Sequence, residues 1–292
     1  MQNVKTAVIP AGGWGTRFLP ATKSMPKEMF PLGNKPVILH VVEEAIASGI
    51  ENIIFVVSHH KQSIESFFSS NEMAEDYYIK LGKYEEVNFL KRIAKMANFS
   101  FVYTKPPYGN GGALGAAQHL IADEPFVLVW SDEIILSKNK PRIKQCLEVF
   151  DKYQKPVISA VEIKDPERRS SYGMAELRNI AEEEYVKEIV RIVEKPMQGE
   201  EPSSFAAHGA YVFTPSVFSA FDKTKLGLND ELWLADIINI MKEETGLLAR
   251  IIPDGHYLDC GNPLDYLFSQ IDYFKNYSLY SNEVKDRLKR YL

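Results

Sequence analysis

Between residues 10 and 29 the chain reads PAGGWGTRFLPATKSMPKEM, which places Gly12, Gly13 and Gly15, then Arg17, Lys23 and Lys27, directly after the apolar run VKTAVI. Glycines following a strand let the backbone approach a polyphosphate closely, and the cations after them can neutralise its charge. The chemistry indicated is nucleotide handling. Neither common phosphate loop accounts for the string. No Gly-Lys-Ser/Thr ending completes a Walker A loop, and Gly13-Trp14-Gly15 continues with Thr16, Arg17 and Phe18 instead of reaching the last glycine of a dinucleotide fingerprint. Two carboxylates downstream stand where a metal could use them: Asp132 ends an apolar run in VLVWSDEII, and Asp259 lies in HYLDCGNPLDYL. Magnesium takes one or two carboxylates together with phosphate oxygens, although an aspartate after a strand is also a common turn former. A third group, Glu194-Lys195-Pro196, offers a compact ammonium and a hydrogen-bond-accepting carboxylate.

These groups sit on an ordinary globular background. The 292 residues are 45% hydrophobic and 25% charged, enough for one large domain or two modest ones. A net charge of -5 argues against nucleic acid as a partner and makes the cluster of Arg17, Lys23 and Lys27 a local anion site. No apolar run approaches the roughly 18 residues of a membrane span, and the opening MQNVKTAVIPAGG shows no signal peptide, so a cytoplasmic protein without membrane partners is expected. Two cysteines, Cys146 and Cys260, are too few for a zinc site or a disulfide framework.

Strands alternate with helices along the chain. TAVI (6–9) and NIIFVV (52–57) read as strands around a helix in PVILHVVEEAIASG, a βαβ unit. FSFVYT (99–104), PFVLVW (125–130) and PVISAVEI (156–163) add strands, with helices at 113–122 and 141–153. Near-continuous apolar strands predict a doubly wound α/β sheet, mixed but mostly parallel, with ligands at the carboxyl ends of its strands. Residues 71–98 read as a polar helical insertion split by Gly82. Shorter strands around YGMAEL, VKEIVRIVEKP and HGAYVFTP predict a smaller β extension that closes over a site. In LDYLFSQIDYFKNY, Leu264, Leu267, Phe268, Ile271 and Phe274 share one helical face, expected to meet the core, with a subunit contact as the alternative. The expectation is a single domain over 1–292, with a nucleotide half (1–135), a sugar-phosphate half (136–261) and C-terminal helices (262–292).

The glycine-rich string resembles the signature of the nucleoside-triphosphate:sugar-1-phosphate nucleotidyltransferases, G-x-G-T-R-[FL]-x-P-x-T followed by a lysine. The ending PATKSMPKEM is similar to that of bacterial UTP:glucose-1-phosphate uridylyltransferases. The resemblance implies a nucleotide site at Ala11, Gly12, Gly13, Gly15, Thr16, Arg17 and Gly112, with Arg17, Lys27, Asp132 and Lys195 as catalytic residues. It implies magnesium (Mg2+) on Asp132 and Asp259, and a sugar phosphate on Gly173, Glu194 and Lys195. The implied reaction joins UTP and glucose 1-phosphate, with a homodimer or homotetramer as possible assemblies.

The match has departures. Ala11-Gly12-Gly13 is closer to the glycine-rich form of thymidylyl- and guanylyltransferases, and Lys105 occupies the place of the family's base-reading glutamine if Pro106–Asn110 carry an insertion. Lysine only donates hydrogen bonds, whereas a glutamine amide also accepts. Tyr108 or backbone near Gly12 are the other candidates for reading the base. Three alternatives remain open: a thymidylyl- or other nucleotidyltransferase acting on a different sugar 1-phosphate, a non-catalytic sugar-nucleotide-binding paralogue, and a GT-A glycosyltransferase. The last would show D-x-D where this chain has Ser131-Asp132-Glu133.

Overall fold

The computed structural model describes residues 4–121, 123–227 and 230–290. Its strands are β1 (Thr6–Ala11), β2 (Pro31–Leu32), β3 (Lys35–Pro36), β4 (Asn52–Val57), β5 (Asn98–Tyr103), β6 (Phe126–Leu128), β7 (Glu133–Leu136), β8 (Val157–Glu162), β9 (Gly173–Asn179), β10 (Val186–Glu194), β11 (Phe205–Phe213), β12 (Leu248–Ile251) and β13 (His256–Asp259). Its helices are α1 (Val37–Ala47), α2 (Gln62–Phe68), α3 (Glu72–Lys80), α4 (Tyr84–Lys95), α5 (Gly112–Ala117), α6 (Arg142–Tyr153), α7 (Pro166–Arg169), α8 (Ser216–Lys223), α9 (Leu234–Thr245), α10 (Pro263–Asn276) and α11 (Ser281–Leu288).

Alternation along the first strands explains the layering. Ala7, Ile9 and Ala11 of β1 join one buried cluster and Val8 joins another; Ile53, Phe55 and Val57 of β4 divide from Ile54 and Val56 in the same way. A strand apolar on both sides must be covered on both sides, and helices supply the cover. Buried residues of α1, α2 and α6 fill the first cluster, and those of α5, α8 and α9 fill the second. The fold is therefore a doubly wound α/β sheet, in the order β5-β4-β1-β6-β11-β8-β12-β10-β9. β5, β4, β1 and β6 pair in parallel; β11 runs antiparallel to both β6 and β8, and β10 pairs antiparallel with β12 and β9. One further pairing, Ala206↔Met174 between β11 and β9, curls the far end of the sheet back on itself. β1 lies between β4 and β6, so the loops after β1 and β6 open on opposite sides of a topological switch point, where such sheets bind ligands.

The predicted helix at 141–153 is α6. The one at 113–122 is shorter, ending as α5 at Ala117 and continuing as a 3-10 turn to Leu120; residue 122 lies outside the described residues. The polar insertion forms α3 and α4 on either side of Gly82.

The phase of α10 overturns one expectation. Leu264, Leu267 and Phe268 are exposed, and Ile271 and Phe274 are only half-buried. The helix docks through a more polar side: Tyr266 and Gln270 donate hydrogen bonds to the Pro31 carbonyl, and Ser269 Oγ donates to the Asp259 carbonyl at 2.9 Å. Fixed carbonyls of β2 and β13 set its rotation, and hydrophobic periodicity alone does not detect such partners.

A buried ion pair ties the early loop to the sheet. Lys61, just before α2, donates to both Glu28 oxygens at 2.8 Å, and each residue is 1% exposed. Glu28 sits in the 3-10 turn Lys27–Met29, so the pair fixes the turn that carries Lys27. Breaking one side leaves a buried charge unpaired. Glu28→Leu should lower unfolding free energy by about 3–5 kcal/mol, whereas Glu28→Leu combined with Lys61→Met should recover most of that loss. Denaturant unfolding of the three proteins checks it.

Candidate active site

A cleft opens over the carboxyl ends of β1, β4 and β5 and the end of β6. It has two lobes, of about 920 and 360 Å³, which share Asn110, Trp130 and Asp132 as a common wall. Gly12, Gly13, Thr16 and Lys27 line the larger lobe, opposite Thr104, Lys105, Tyr108 and Gly112. The smaller lobe takes Gly173, Glu194, Lys195, Asp259 and also Arg17. The two groups of predicted site residues therefore face one cleft from opposite ends.

The glycine loop works by close approach. A Cβ on Gly12 would lie 2.3 Å from Thr104 Cγ2, so any side chain there would push the loop off the end of β5. Gly15 adopts φ +63° and its carbonyl accepts a hydrogen bond from Thr22 Oγ1 at 2.8 Å, which shapes the loop without lining the cleft. Ala11 is buried in the core and acts through its backbone position. Lys23 is exposed and lines neither lobe. Arg17 is exposed at the smaller lobe and forms no ion pair among the described residues, which leaves its guanidinium available to an anion.

The two aspartates meet through a two-stranded ribbon. β7 and β13 pair antiparallel with Glu133 opposite Asp259, and the Cys260 N–H donates to the Asp132 carbonyl at 3.0 Å. A Cβ on Gly261 would lie 3.1 Å from Asp259 Oδ1 and 3.2 Å from Asp132 Oδ2, so both carboxylates face one small space that a glycine keeps open. The donor set is hard oxygen, and two carboxylates leave coordination positions for phosphate oxygens and water, which fits magnesium. Among the described residues no group of three or more His, Cys, Asp or Glu could hold a metal by itself.

Lys27 reaches into this group and pairs with Asp132 Oδ2. Burial disfavours its charged form, but the carboxylates of Asp132, Glu28 and Asp259 outweigh burial and raise its pKa to about 12. Asp132 feels the reverse: burial pushes its carboxyl up, while Lys27 and Lys61 hold it below the usual carboxylate range. Asp259 forms no ion pair among the described residues. Burial, then the charges of Glu133, Asp132 and Asp265, raise its pKa to about 6 against the hydrogen bond from the Gly261 N–H.

At the other end, Glu194 closes β10 directly opposite Gly173 of β9. A Cβ on Gly173 would lie 3.0 Å from Glu194 Oε2, so the glycine makes room for this carboxylate as well as for a ligand. Burial raises the Glu194 pKa, with Lys195 opposing. Tyr172 bridges toward the aspartates: its hydroxyl donates to Asp259 Oδ2 at 3.3 Å and accepts from Arg168 at 2.8 Å. Several lining residues were not singled out from sequence. Glu133 pairs with buried His208 at 3.2 Å, Trp130 donates to Tyr211 Oη at 3.3 Å, and Thr104 packs against Gly12. Only Glu133 carried a signal, its place beside Asp132.

A pKa that differs between the folded and unfolded states is a stability statement. Asp259 has a folded pKa of about 6, above the unfolded value of 3.8, so its contribution favours folding at low pH and is lost as pH rises through about 6. Without added metal, Asp259→Asn should therefore stabilise the protein at pH 8 by on the order of 1–3 kcal/mol and give no gain at pH 4. Thermal melts of both proteins across that range in a chelator check it.

The comparisons with known proteins agree with this geometry. The sequence model described as "Nucleotidyl transferase" matches residues 6–275. The chain is 37% identical over 263 residues to the UTP–glucose-1-phosphate uridylyltransferase YngB of Bacillus subtilis (strain 168), covering 90% of this chain and 87% of that protein. It is 35% identical over 292 residues to the UTP–glucose-1-phosphate uridylyltransferase of Staphylococcus haemolyticus (strain JCSC1435), covering 100% of this chain and 98% of the relative. Among solved structures, a UDP-glucose pyrophosphorylase complexed with UDP-glucose superposes with TM-score 0.81 at 33% identity, covering 94% of this chain and 99% of the other. The UTP-bound enzyme of Acinetobacter baumannii superposes with TM-score 0.88 at 27% identity, covering 98% and 99%. With a family match over most of its length and relatives above 30% identity from end to end, the chain belongs to the nucleotidyl transferase family.

Proposed function

We propose that this chain is a magnesium-dependent UTP:glucose-1-phosphate uridylyltransferase, forming UDP-glucose and pyrophosphate. The observation that carries the reading is the shared wall of the two lobes. Asp132 and Trp130 belong to both, so a triphosphate in the larger lobe and a sugar phosphate in the smaller one meet at Asp132. The reaction is attack of a sugar-phosphate oxygen on the α-phosphorus, in line with departing pyrophosphate. Both reactants are anions, and holding them in contact against their repulsion is most of the task. The phosphate oxygen is itself the nucleophile, so no side chain need form a covalent intermediate.

The chain's own groups divide this work. Backbone at Gly12, Gly13 and Thr16 borders the triphosphate, and Lys27 offsets charge that builds on the leaving pyrophosphate. Arg17, at the mouth of the smaller lobe, faces the junction of the two anions. Lys195 takes the sugar phosphate, and the half-buried Glu194 carboxylate accepts hydrogen bonds from sugar hydroxyls. Thr104 and Lys105 line the larger lobe, which would take the base. Asp132 and Asp259 would hold magnesium, which when bound supplies charge neutralisation of the phosphate oxygens. The two buried thiols, Cys146 and Cys260, support a reducing, cytoplasmic setting. The exposed Leu264, Leu267 and Phe268 of α10 support self-association.

The reading is tested by incubating the protein with each nucleoside triphosphate against several sugar 1-phosphates and following pyrophosphate release. UTP with glucose 1-phosphate should be the best pair, and excess EDTA should abolish turnover. Asp132→Asn should fold and lose most activity, because a neutral amide binds a hard dication poorly. Full turnover in EDTA, or near-normal turnover by the folded mutant, would refute the metal assignment. Lys27→Ala should lower kcat by roughly 10²-fold, as loss of one preorganised electrostatic group commonly does. Lys195 acts on the other substrate, so Lys195→Ala should chiefly raise KM for the sugar phosphate. Equal effects of both changes on both substrates would sink this division.

A further inference from the structure

Lys195 is held at two points. Its backbone sits at φ +45°, a left-handed conformation that a lysine adopts only when its surroundings hold it there, and its N–H donates to the Tyr172 carbonyl at 3.1 Å. Its ammonium has no ion-pair or hydrogen-bond partner among the described residues; it lies over the Trp233 ring, 5.5 Å from the centroid. An indole face attracts a cation at this range and leaves the other ammonium hydrogens to an anion.

Trp233 is itself fixed. It precedes α9 in a segment joined to the loop at the larger lobe: the Leu232 N–H donates to the Tyr108 carbonyl at 2.8 Å, the Gly111 N–H to the Leu232 carbonyl at 2.9 Å, and the Leu234 N–H to Asn110 Oδ1 at 2.7 Å. Gly227 lies beside the indole, where a Cβ would come within 2.9 Å of Trp233 Cδ1. The segment that carries the ring cannot shift without breaking these backbone hydrogen bonds.

We propose that Trp233 is a positioning residue for Lys195, holding its ammonium at the sugar-phosphate end of the cleft. This rests on the reading of Lys195 as the sugar-phosphate lysine. A free lysine side chain samples many rotamers and loses that freedom on binding an anion. One already resting on an indole has lost much of it beforehand, and the gain appears as affinity for the sugar phosphate.

Steady-state kinetics with UTP and glucose 1-phosphate on Trp233→Leu, Trp233→Phe, Lys195→Met and the Trp233→Leu/Lys195→Met double variant test this. Trp233→Leu should raise KM for glucose 1-phosphate about 3- to 10-fold and leave KM for UTP unchanged. Trp233→Phe, which keeps a ring with a weaker face, should fall between it and wild type. On the Lys195→Met background, Trp233→Leu should add nothing, because its effect passes through Lys195. Additive effects, or equal changes in both KM values, would overturn the proposal and make Trp233 a packing residue. If Trp233→Leu does not fold, the same cycle with Trp233→Phe decides. Should Lys195→Met leave the sugar-phosphate KM unchanged, the role given to Lys195 falls and the proposal with it. Should Lys195→Met raise that KM while the Trp233 variants do not, the proposal alone fails.

Discussion

The pairing of β7 with β13 is the constraint around which the site is arranged. It carries Asp132 and Asp259 to one point from distant parts of the chain, with Glu133 between them in register. Carboxylates gathered in a partly buried space lose water and repel one another, and the raised pKa of Asp259 records first its burial and then that repulsion. Much of the surrounding structure relieves or braces it. Lys27 neutralises Asp132, the Gly261 N–H and the Tyr172 hydroxyl donate to Asp259, and Ser269 of α10 ties down the Asp259 backbone. Lys27 can reach across only because its turn is anchored behind by the buried Glu28–Lys61 pair. Acidic groups gathered in this way leave the site slightly unfavourable on its own.

The sheet divides labour in the same way. Parallel strands β5, β4, β1 and β6 end together and present loops with free backbone N–H groups, which suit a polyphosphate. Antiparallel β9, β10 and β11 instead place side chains opposite one another, which is how Glu194 comes to face Gly173. Backbone recognition at one lobe and side-chain recognition at the other follow from strand direction, and Asp132 sits where the two regimes join.

Much of this was legible in the sequence. Apolar runs bounded by turn residues located β1, β4, β5 and β8 to within one residue or a few, because strands buried on both faces leave little ambiguity. Gly12, Gly13 and Lys27 of the early string and the strand-end Asp132 and Asp259 do fall on the walls of one cleft. Long-range partnerships were not legible. Nothing local in HHK marks Lys61 as buried against Glu28, and nothing in ELWLA marks Trp233 as the surface under Lys195. The phase of α10 failed for a related reason: its apolar stripe is real, but the Pro31 and Asp259 carbonyls decide which face turns inward. Hydrophobic spacing predicts which faces a helix has, and hydrogen bonds to fixed carbonyls can choose between them.

Gly173 shows how a motif can mark the right place without disclosing its physical reason. A glycine beside a sugar site suggests room for the ligand, yet a Cβ there would first meet Glu194 Oε2 at 3.0 Å. The missing side chain lets a half-buried carboxylate sit at the end of β10, where partial loss of water raises its pKa. A desolvated carboxylate in a fixed position binds hydroxyl donors more strongly than one in solvent, because little solvent must be displaced when the sugar arrives. The glycine therefore acts on the ligand through Glu194. The same relation holds between Gly261 and the paired aspartates, so at two places in the smaller lobe the absence of a side chain lets an acidic one take its position.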